Sequence, residues 1–283
     1  MATPKLTQIL AGASMSALGV AVIRAQETAR TDRLYADPYA QVFVDAARSA
    51  FLDPAAPAGS ADTWERVETL AGRFYEGRTV GVRLADDRVR DWVGAGCRQV
   101  VDLGAGLDTR PFRMDLPEEV SWFDIDLPAT FEFKEPVLER AGAAPRCGRH
   151  VVPADLSGEW ANALAEAGFR PEEPTAWLGE GISLSRDSAI ALATTITALS
   201  APGSRYALDR LAVAERDMRD LERLVREGRS TPVSARGLPD GERWLAEHGW
   251  RTEFRSWDDL VAGLPRRWTT GNPEIGVVLA VRV

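Results

Sequence analysis

The residues best spaced for chemistry are Val100-Val101-Asp102-Leu103-Gly104-Ala105-Gly106-Leu107-Asp108-Thr109-Arg110. An apolar run ends in two glycines one residue apart, and a polar, helix-starting stretch follows. A strand hands over to a helix in this way beside a nucleotide-like ligand. Gly104 can adopt backbone angles closed to other residues, and Gly106 lets the backbone approach a ligand. Thr109 stands where the dinucleotide fingerprint has its third glycine, which disfavours a pyrophosphate cradle. Carboxylates follow at suggestive places. Asp126, 22 residues beyond Gly104, suits a side chain accepting from both ribose hydroxyls, and it also fits a helix N-cap before Pro128. Asp124 belongs to the strand or a neighbouring loop. Asp155 suits an adenine amino group and Leu156 the ring face; a cap on the next helix is the other reading of Asp155. Glu180, in Trp177-Leu178-Gly179-Glu180-Gly181, is costly to bury alone and should face a ligand or a cation. No Walker lysine follows Gly106 and no acidic metal cluster is evident in the sequence, so the expected metal content is none. The pocket so described takes an adenosine without phosphates, which points to S-adenosyl-L-methionine.

The elements that must position these residues are legible in outline. Residues 16–50 read as helices, the second starting at Pro38 behind Asp37 in a capping position. Residues 52–61 read as a connector, and Trp64, Val67, Leu70, Ala71 and Phe74 mark one face of a further helix. From residue 98 strands alternate with helices: 98–103, 120–125, 149–153, 174–179, 204–209, 250–255 and 275–282 read as strands. Ala189, Leu192, Ala193, Ile196 and Leu199 form one helical stripe, and Leu211, Ala214, Met218, Leu221 and Val225 another. The expected fold class is α/β: a seven-stranded, mostly parallel Rossmann-like sheet closing on an antiparallel hairpin. The expected domains are a helical cap over residues 1–95 and an α/β core over 96–283, with a mobile insertion near 211–241.

Composition limits the partners. The chain has 283 residues and a formal net charge of −8, so nucleic acid is not an expected partner. Residues 9–23 are only mildly apolar and lack the dense core of a signal or a span, so neither a membrane nor secretion is expected, and the expected location is cytoplasmic. Cys97 and Cys147 read as buried free thiols. His150 and His248 are the two histidines; His150 lies in a strand-like stretch and reads as an edge histidine rather than a base. Trp64, Trp92 and Trp244 read as core, whereas Trp257 and Trp268 are placed to reach a pocket.

The chain resembles the leucine carboxyl methyltransferase-like family, in its actinobacterial branch. The resemblance rests on Arg24-Ala25-Gln26-Glu27-Thr28-Ala29-Arg30, Asp37-Pro38-Tyr39-Ala40, residues 99–110, Asp124-Ile125-Asp126-Leu127-Pro128, Asp155-Leu156 and Glu180-Gly181, in that order. It implies a class I methyltransferase fold with a helical N-terminal addition over the cofactor. It also implies roles. Gly104 and Gly106 would line the methionine portion and ribose, and Asp126 would hold the ribose hydroxyls. Asp155 and Leu156 would frame the adenine, with Glu180 near the methionyl amine. Arg78, with Arg83 as its rival, would pair with the cofactor carboxylate, a task suited to a planar guanidinium; a surface ion pair with Asp86 or Asp87 is the other reading of either arginine. Glu180-Gly181-Ile182-Ser183-Leu184-Ser185 departs from the family by lacking a tyrosine after Glu-Gly. That stretch borders the acceptor side.

Methyl transfer from a sulfonium is an in-line displacement that needs positioning above all. A carboxylate acceptor is already ionised and needs no base; a phenol needs modest help. With two histidines and neither well placed, O-methylation of a small-molecule or peptide carboxylate is expected, with a phenol of a natural-product pathway as the alternative. Tyr75, Tyr206 and Arg210 are the candidates for positioning the acceptor. An NAD-linked oxidoreductase and a non-catalytic, cyclase-like cofactor binder stay open as readings of another class. Oligomeric state is not legible.

Overall fold

The computed structural model describes residues 14–180, 186–210 and 240–283, with the side chains of Ser14 and Arg210 left out. The chain begins with three helices: α1 (Ser14–Thr28), α2 (Ala40–Phe51) and α3 (Ser60–Gly94). The alternating part follows as β1 (Gln99–Leu103), α4 (Arg110–Arg113), β2 (Ser121–Asp126), α5 (Pro128–Arg140), β3 (Gly148–Pro153), α6 (Trp160–Glu166), β4 (Thr175–Leu178), α7 (Arg186–Ala198) and β5 (Arg205–Arg210). After the segment 211–239 come α8 (Gly241–Glu247), β6 (Trp250–Ser256), α9 (Trp257–Val261) and β7 (Gly276–Arg282). The second apolar stripe and most of the expected insertion lie outside the described residues.

The seven strands form one sheet in the order β3-β2-β1-β4-β5-β7-β6. The first five run parallel, and β7 runs antiparallel to both β5 and β6. This is the class I methyltransferase sheet that the resemblance implies. The expected closing hairpin is present, but β7 slots between β5 and β6 instead of ending the sheet. Central β1 and β4 are buried at every residue, as parallel strands covered on both faces must be. One face packs Val101, Phe123, Trp177, Tyr206 and Val278 against Trp160, Leu192, Ile196 and Leu245. The other packs Val100, Trp122, Ala176 and Ala207 against Val89, Trp92 and Val93 of α3.

The 35-residue α3 therefore serves two layers. Its first half contributes Trp64, Val67, Leu70 and Ala71 to a cluster with Leu18 and Val22 of α1 and Phe43 and Ala47 of α2. Its second half covers the sheet. The start of α2 corrects one expectation: the helix begins at Ala40, two residues past Pro38. Asp37 Oδ1 accepts from the amides of Tyr39 and Ala40, so Pro38 and Tyr39 form the turn before the helix. Cys97 and Cys147 are buried free thiols, as expected. Among the described residues no helix is long and apolar enough to cross a membrane.

Candidate active site

In an open α/β sheet the ligand crevice lies beyond the carboxyl ends of the strands. β1 ends there at Leu103, and Gly104 follows it; its φ of 69° and the 49° of Gly106 place both glycines in the left-handed region. The amides of Gly104 and Ala105 donate to the carbonyl of Ile125, and the Gly106 amide donates to Asp126 Oδ2 at 2.7 Å. Asp126 thus ends β2 beside the glycine turn. Its Oδ1 accepts from the Leu127 amide and the Thr130 hydroxyl; the N-cap position of α5 is Leu127, so Asp126 braces the turn before the helix and is not its N-cap, and its side chain is half-buried. Asp155, at the end of β3, is exposed, and its Oδ1 accepts from the amide and hydroxyl of Ser157. It closes that turn and does not cap α6, which starts at Trp160. Leu156 is half-buried against the sheet core.

Gly106 carries a second duty that sequence reasoning missed. A Cβ built on it would lie 2.8 Å from Ala17 Cβ, so the cap helix α1 sits directly on the glycine turn. Thr109, in the place of the third glycine, locks the same contact. Its hydroxyl donates to Asp37 Oδ2 at 2.7 Å; Arg24 donates to Asp37 Oδ2 at 2.8 Å, to the Leu107 carbonyl at 2.6 Å and to Thr109 Oγ1 at 3.2 Å. Arg24, Asp37 and Thr109 are all buried. The sequence offers Asp37 as a helix cap and Thr109 as the replacement of a glycine, and gives no sign that the two meet Arg24.

Behind the turn lies a buried charge network. Asp86 of α3 is fully buried and accepts from Arg110 Nε at 2.8 Å and from Arg113 at 2.6 and 2.7 Å. Desolvation works to raise its pKa, but the two guanidinium groups override it and hold it low. Asp108, which accepts from the amide and guanidinium of Arg110, is held down at about 2 against its own desolvation by Arg110, Arg24 and Arg113. Asp102 behaves oppositely. Burial, then the negative charges of Asp108 and Asp124, push it well above the usual carboxylate range, and its Oδ2 has no hydrogen-bond partner.

Glu180, just past the end of β4, and Arg78 of α3 form an ion pair. Arg78 Nη2 lies 3.6 Å from Glu180 Oε2, and Arg110 Nη2 lies 2.7 Å from Glu180 Oε1. The Arg110 contact is close in distance but lacks hydrogen-bond alignment, since Glu180 Oε1, like Arg78 Nε, is a buried polar atom without a hydrogen bond. The rival Arg83 is committed elsewhere: it donates to Asp87 at 2.8 Å and to the Leu34 carbonyl at 3.0 Å. Gly181 and the departing stretch through Ser185 lie outside the described residues.

The acceptor-positioning candidates are not brought together. Tyr75 donates its hydroxyl to the buried Glu27 at 2.7 Å, which also accepts from the Leu34 amide and from Arg266, so it ties the cap to the C-terminal segment. Tyr206 is packed in the sheet core near Trp250, on the face away from α3. Arg210 closes β5 opposite Gly276, and its side chain lies outside the described residues. His150 stacks on Phe123 in edge strand β3, with its pKa lowered by burial, and His248 stacks on Trp244. Trp244 is half-buried, less than the core placement expected, while Trp64 and Trp92 are core. Trp257 is buried against Gly81, and the Trp268 ring lies across Gly77 of α3. Asp124 serves the strand and its neighbours, accepting from Trp122, the fully buried Lys134 and Arg149.

The comparisons agree with one another. The family described as leucine carboxyl methyltransferase matches residues 17–197. A relative from Parafrankia sp. (strain EAN1pec), named "Putative S-adenosyl-L-methionine-dependent methyltransferase", is 43% identical over 85% of this chain and 77% of its own. One of the same name from Saccharopolyspora erythraea is 38% identical over 95% and 93%. A crystal structure titled as a putative methyltransferase from Thermobifida fusca covers 93% of each chain at 18% identity, with a TM-score of 0.46. By the extent of the family match and of these relatives, the chain belongs to the leucine carboxyl methyltransferase family.

Proposed function

We propose that this enzyme is an S-adenosyl-L-methionine-dependent O-methyltransferase whose cofactor lies along the carboxyl ends of β1 to β4. The observation that carries this reading is Glu180, just past β4, facing Arg78 of α3 at 3.6 Å, with Arg78 Nε buried without a hydrogen bond and Glu180 Oε1 held by the Arg110 ion pair but also without one. An unpartnered buried polar atom is expensive. An amino-acid tail supplies the missing partners: its carboxylate suits the guanidinium, and its ammonium suits the carboxylate. Gly104 and Gly106 then flank the methionine portion and ribose, Asp126 accepts from the ribose hydroxyls, and Asp155 and Leu156 frame the adenine. The bound cofactor supplies an electrophilic methyl on a sulfonium; the chain holds it and excludes water. The cap formed by α1, α2 and the first half of α3, clamped by Arg24, Asp37 and Thr109, closes the crevice from above. Titration calorimetry with S-adenosylhomocysteine tests this: Arg78→Ala and Glu180→Gln should each weaken binding about tenfold or more. Unchanged affinity in both would remove the tail from this position.

The acceptor is a small molecule or a peptide, with neither nucleic acid nor membrane as partner, and the enzyme works in the cytoplasm. A carboxylate acceptor fits the want of a histidine base, since neither histidine lies among the crevice residues. A hydroxyl acceptor is a second reading. It is favoured by Asp209, an exposed carboxylate at the end of β5.

A further inference from the structure

Asp209 is a residue that sequence reasoning passed over in favour of its neighbours Tyr206 and Arg210. Side chains two apart in a strand share a face. Ala207 packs against the α3 side of the sheet, so Asp209 points to that side, opposite to Tyr206. β4 and β5 pair in parallel with Trp177 beside Tyr206. Glu180 follows the end of β4 and Asp209 lies near the end of β5, and the two carboxylates are close enough to interact electrostatically. Asp102, in β1 next to β4, shares this face, because it alternates with Val100 of the α3-side cluster. Three neighbouring strands thus present carboxyl groups beneath one helix. Two of them carry oxygens that are buried without a hydrogen bond, Asp102 Oδ2 and Glu180 Oε1. Asp209 differs: its side chain is open to solvent, and no hydrogen bond or ion pair ties it among the described residues.

We infer that Asp209 is a catalytic residue that accepts the proton of an acceptor hydroxyl during methyl transfer. The inference rests on the cofactor reading above and takes up its second acceptor reading, a hydroxyl, phenolic or aliphatic, in place of the carboxylate. With the amino-acid tail at Arg78 and Glu180, the next strand end carries the acceptor, and Asp209 occupies it. A carboxylate acceptor would meet like charge there; a hydroxyl would meet a hydrogen-bond acceptor. In the step, the acceptor O–H bond breaks and its proton passes to an Asp209 oxygen. The acceptor oxygen's electron pair forms the bond to the methyl carbon. The carbon–sulfur bond breaks with its pair kept on sulfur, which leaves as a neutral thioether, and water later takes the proton from Asp209. The environment suits a base. Desolvation by the surrounding protein raises the pKa of the carboxylate. Arg88 and Arg78 of α3 oppose the rise, and Glu180 adds to it.

The test pairs binding with turnover. Titration with S-adenosylhomocysteine should give equal affinity, within about twofold, for wild type and Asp209→Asn, which also shows that the variant folds. On that complex, wild type should bind a phenol more tightly than the matching benzoate, and Asp209→Asn should shift the ratio toward benzoate by about tenfold or more, the size expected of one charge contact in a low-dielectric site. Methyl-labelled S-adenosylmethionine offered with a panel of phenols, alcohols and carboxylic acids should yield products stable to mild alkali, as ethers are. With the best hydroxyl acceptor, kcat should fall about 100-fold or more in Asp209→Asn, as expected on losing a general base. The acid limb of the pH–rate profile should disappear with it. Alkali-labile methyl esters as the products, no label on any hydroxyl, or an unchanged kcat would each overturn the role of Asp209 while leaving the cofactor site standing. Failure of wild type to bind S-adenosylhomocysteine would instead overturn the reading beneath it.

Discussion

Gly106 and Ala17 meet so closely that the glycine turn and the cap helix form one unit: a Cβ on the glycine would sit 2.8 Å from Ala17 Cβ. Two costs follow for Gly106→Ala. One is the contact, an overpacking of about 1–3 kcal/mol. The other is the φ of 49°, which costs an alanine about 1–2 kcal/mol wherever its neighbours stand. Ala17→Gly should relieve the first and not the second. Urea unfolding of both single variants and the double variant should therefore show a favourable coupling, with the double variant still less stable than wild type. Strict additivity would mean that α1 does not rest on the turn.

Arg24→Ala should cost about 3–5 kcal/mol, because it strands the fully buried Asp37 carboxylate beside the Thr109 hydroxyl. Adding Asp37→Asn to that variant removes the unpaired charge and should recover part of the loss. Denaturant midpoints at constant m-value decide the matter. A double variant as unstable as the sum of the two singles would show that the pair does not act as a pair.

Asp102 sets a pH dependence whose sign is fixed by its raised pKa. Its stabilising contribution is complete below the unfolded carboxylate pKa and is lost as pH rises toward the folded value. Across that interval the loss is about 1.4 kcal/mol per pH unit. Asp102→Asn removes it, so the variant should gain on wild type between pH 5 and pH 8. Asp86 and Asp108 act with the opposite sign: their lowered pKa values contribute stability above the ordinary carboxylate range, lost as pH falls toward about 2 for Asp108. Urea unfolding at the two pH values checks Asp102; a variant-to-wild-type difference that stays constant with pH would contradict the upward shift.

Asp126→Ala should weaken S-adenosylhomocysteine binding about tenfold or more, through the ribose hydroxyls and through release of the Gly106 amide that its Oδ2 accepts from. The melting temperature without ligand should change less than the affinity does, because the side chain is only half-buried. A fall in stability with unchanged affinity would leave Asp126 as a brace of the turns after β1 and β2 alone.

What was legible in the sequence and what was not follow from range. The strands were readable because period and punctuation are local. Each candidate strand is found within a residue or two of its expected place, and the glycine turn lies where the apolar run ends. The residues proposed to hold the cofactor sit at or just past strand ends, so Gly104, Asp126, Asp155 and Glu180 could be named from spacing. The buried charges could not. Arg24 and Thr109 are 85 residues apart in the chain, and a lone arginine or aspartate reads as surface until its partner is known. Asp86 was thus weighed only as a surface partner, yet it is wholly buried between two arginines. Tyr75 and Tyr206 attracted attention by residue type. Strand alternation was the better signal, since it sets Tyr206 and Asp209 on opposite faces and would have singled out the aspartate.

The central claim is that the crevice takes a sulfonium nucleoside with an amino-acid tail and does not take a pyrophosphate. Its most direct measurement is calorimetric titration of the wild-type chain with S-adenosylhomocysteine and, separately, with NAD. Saturable binding of S-adenosylhomocysteine at one site per chain, with no heat from NAD, is the predicted result. Binding of NAD with none of S-adenosylhomocysteine would contradict it.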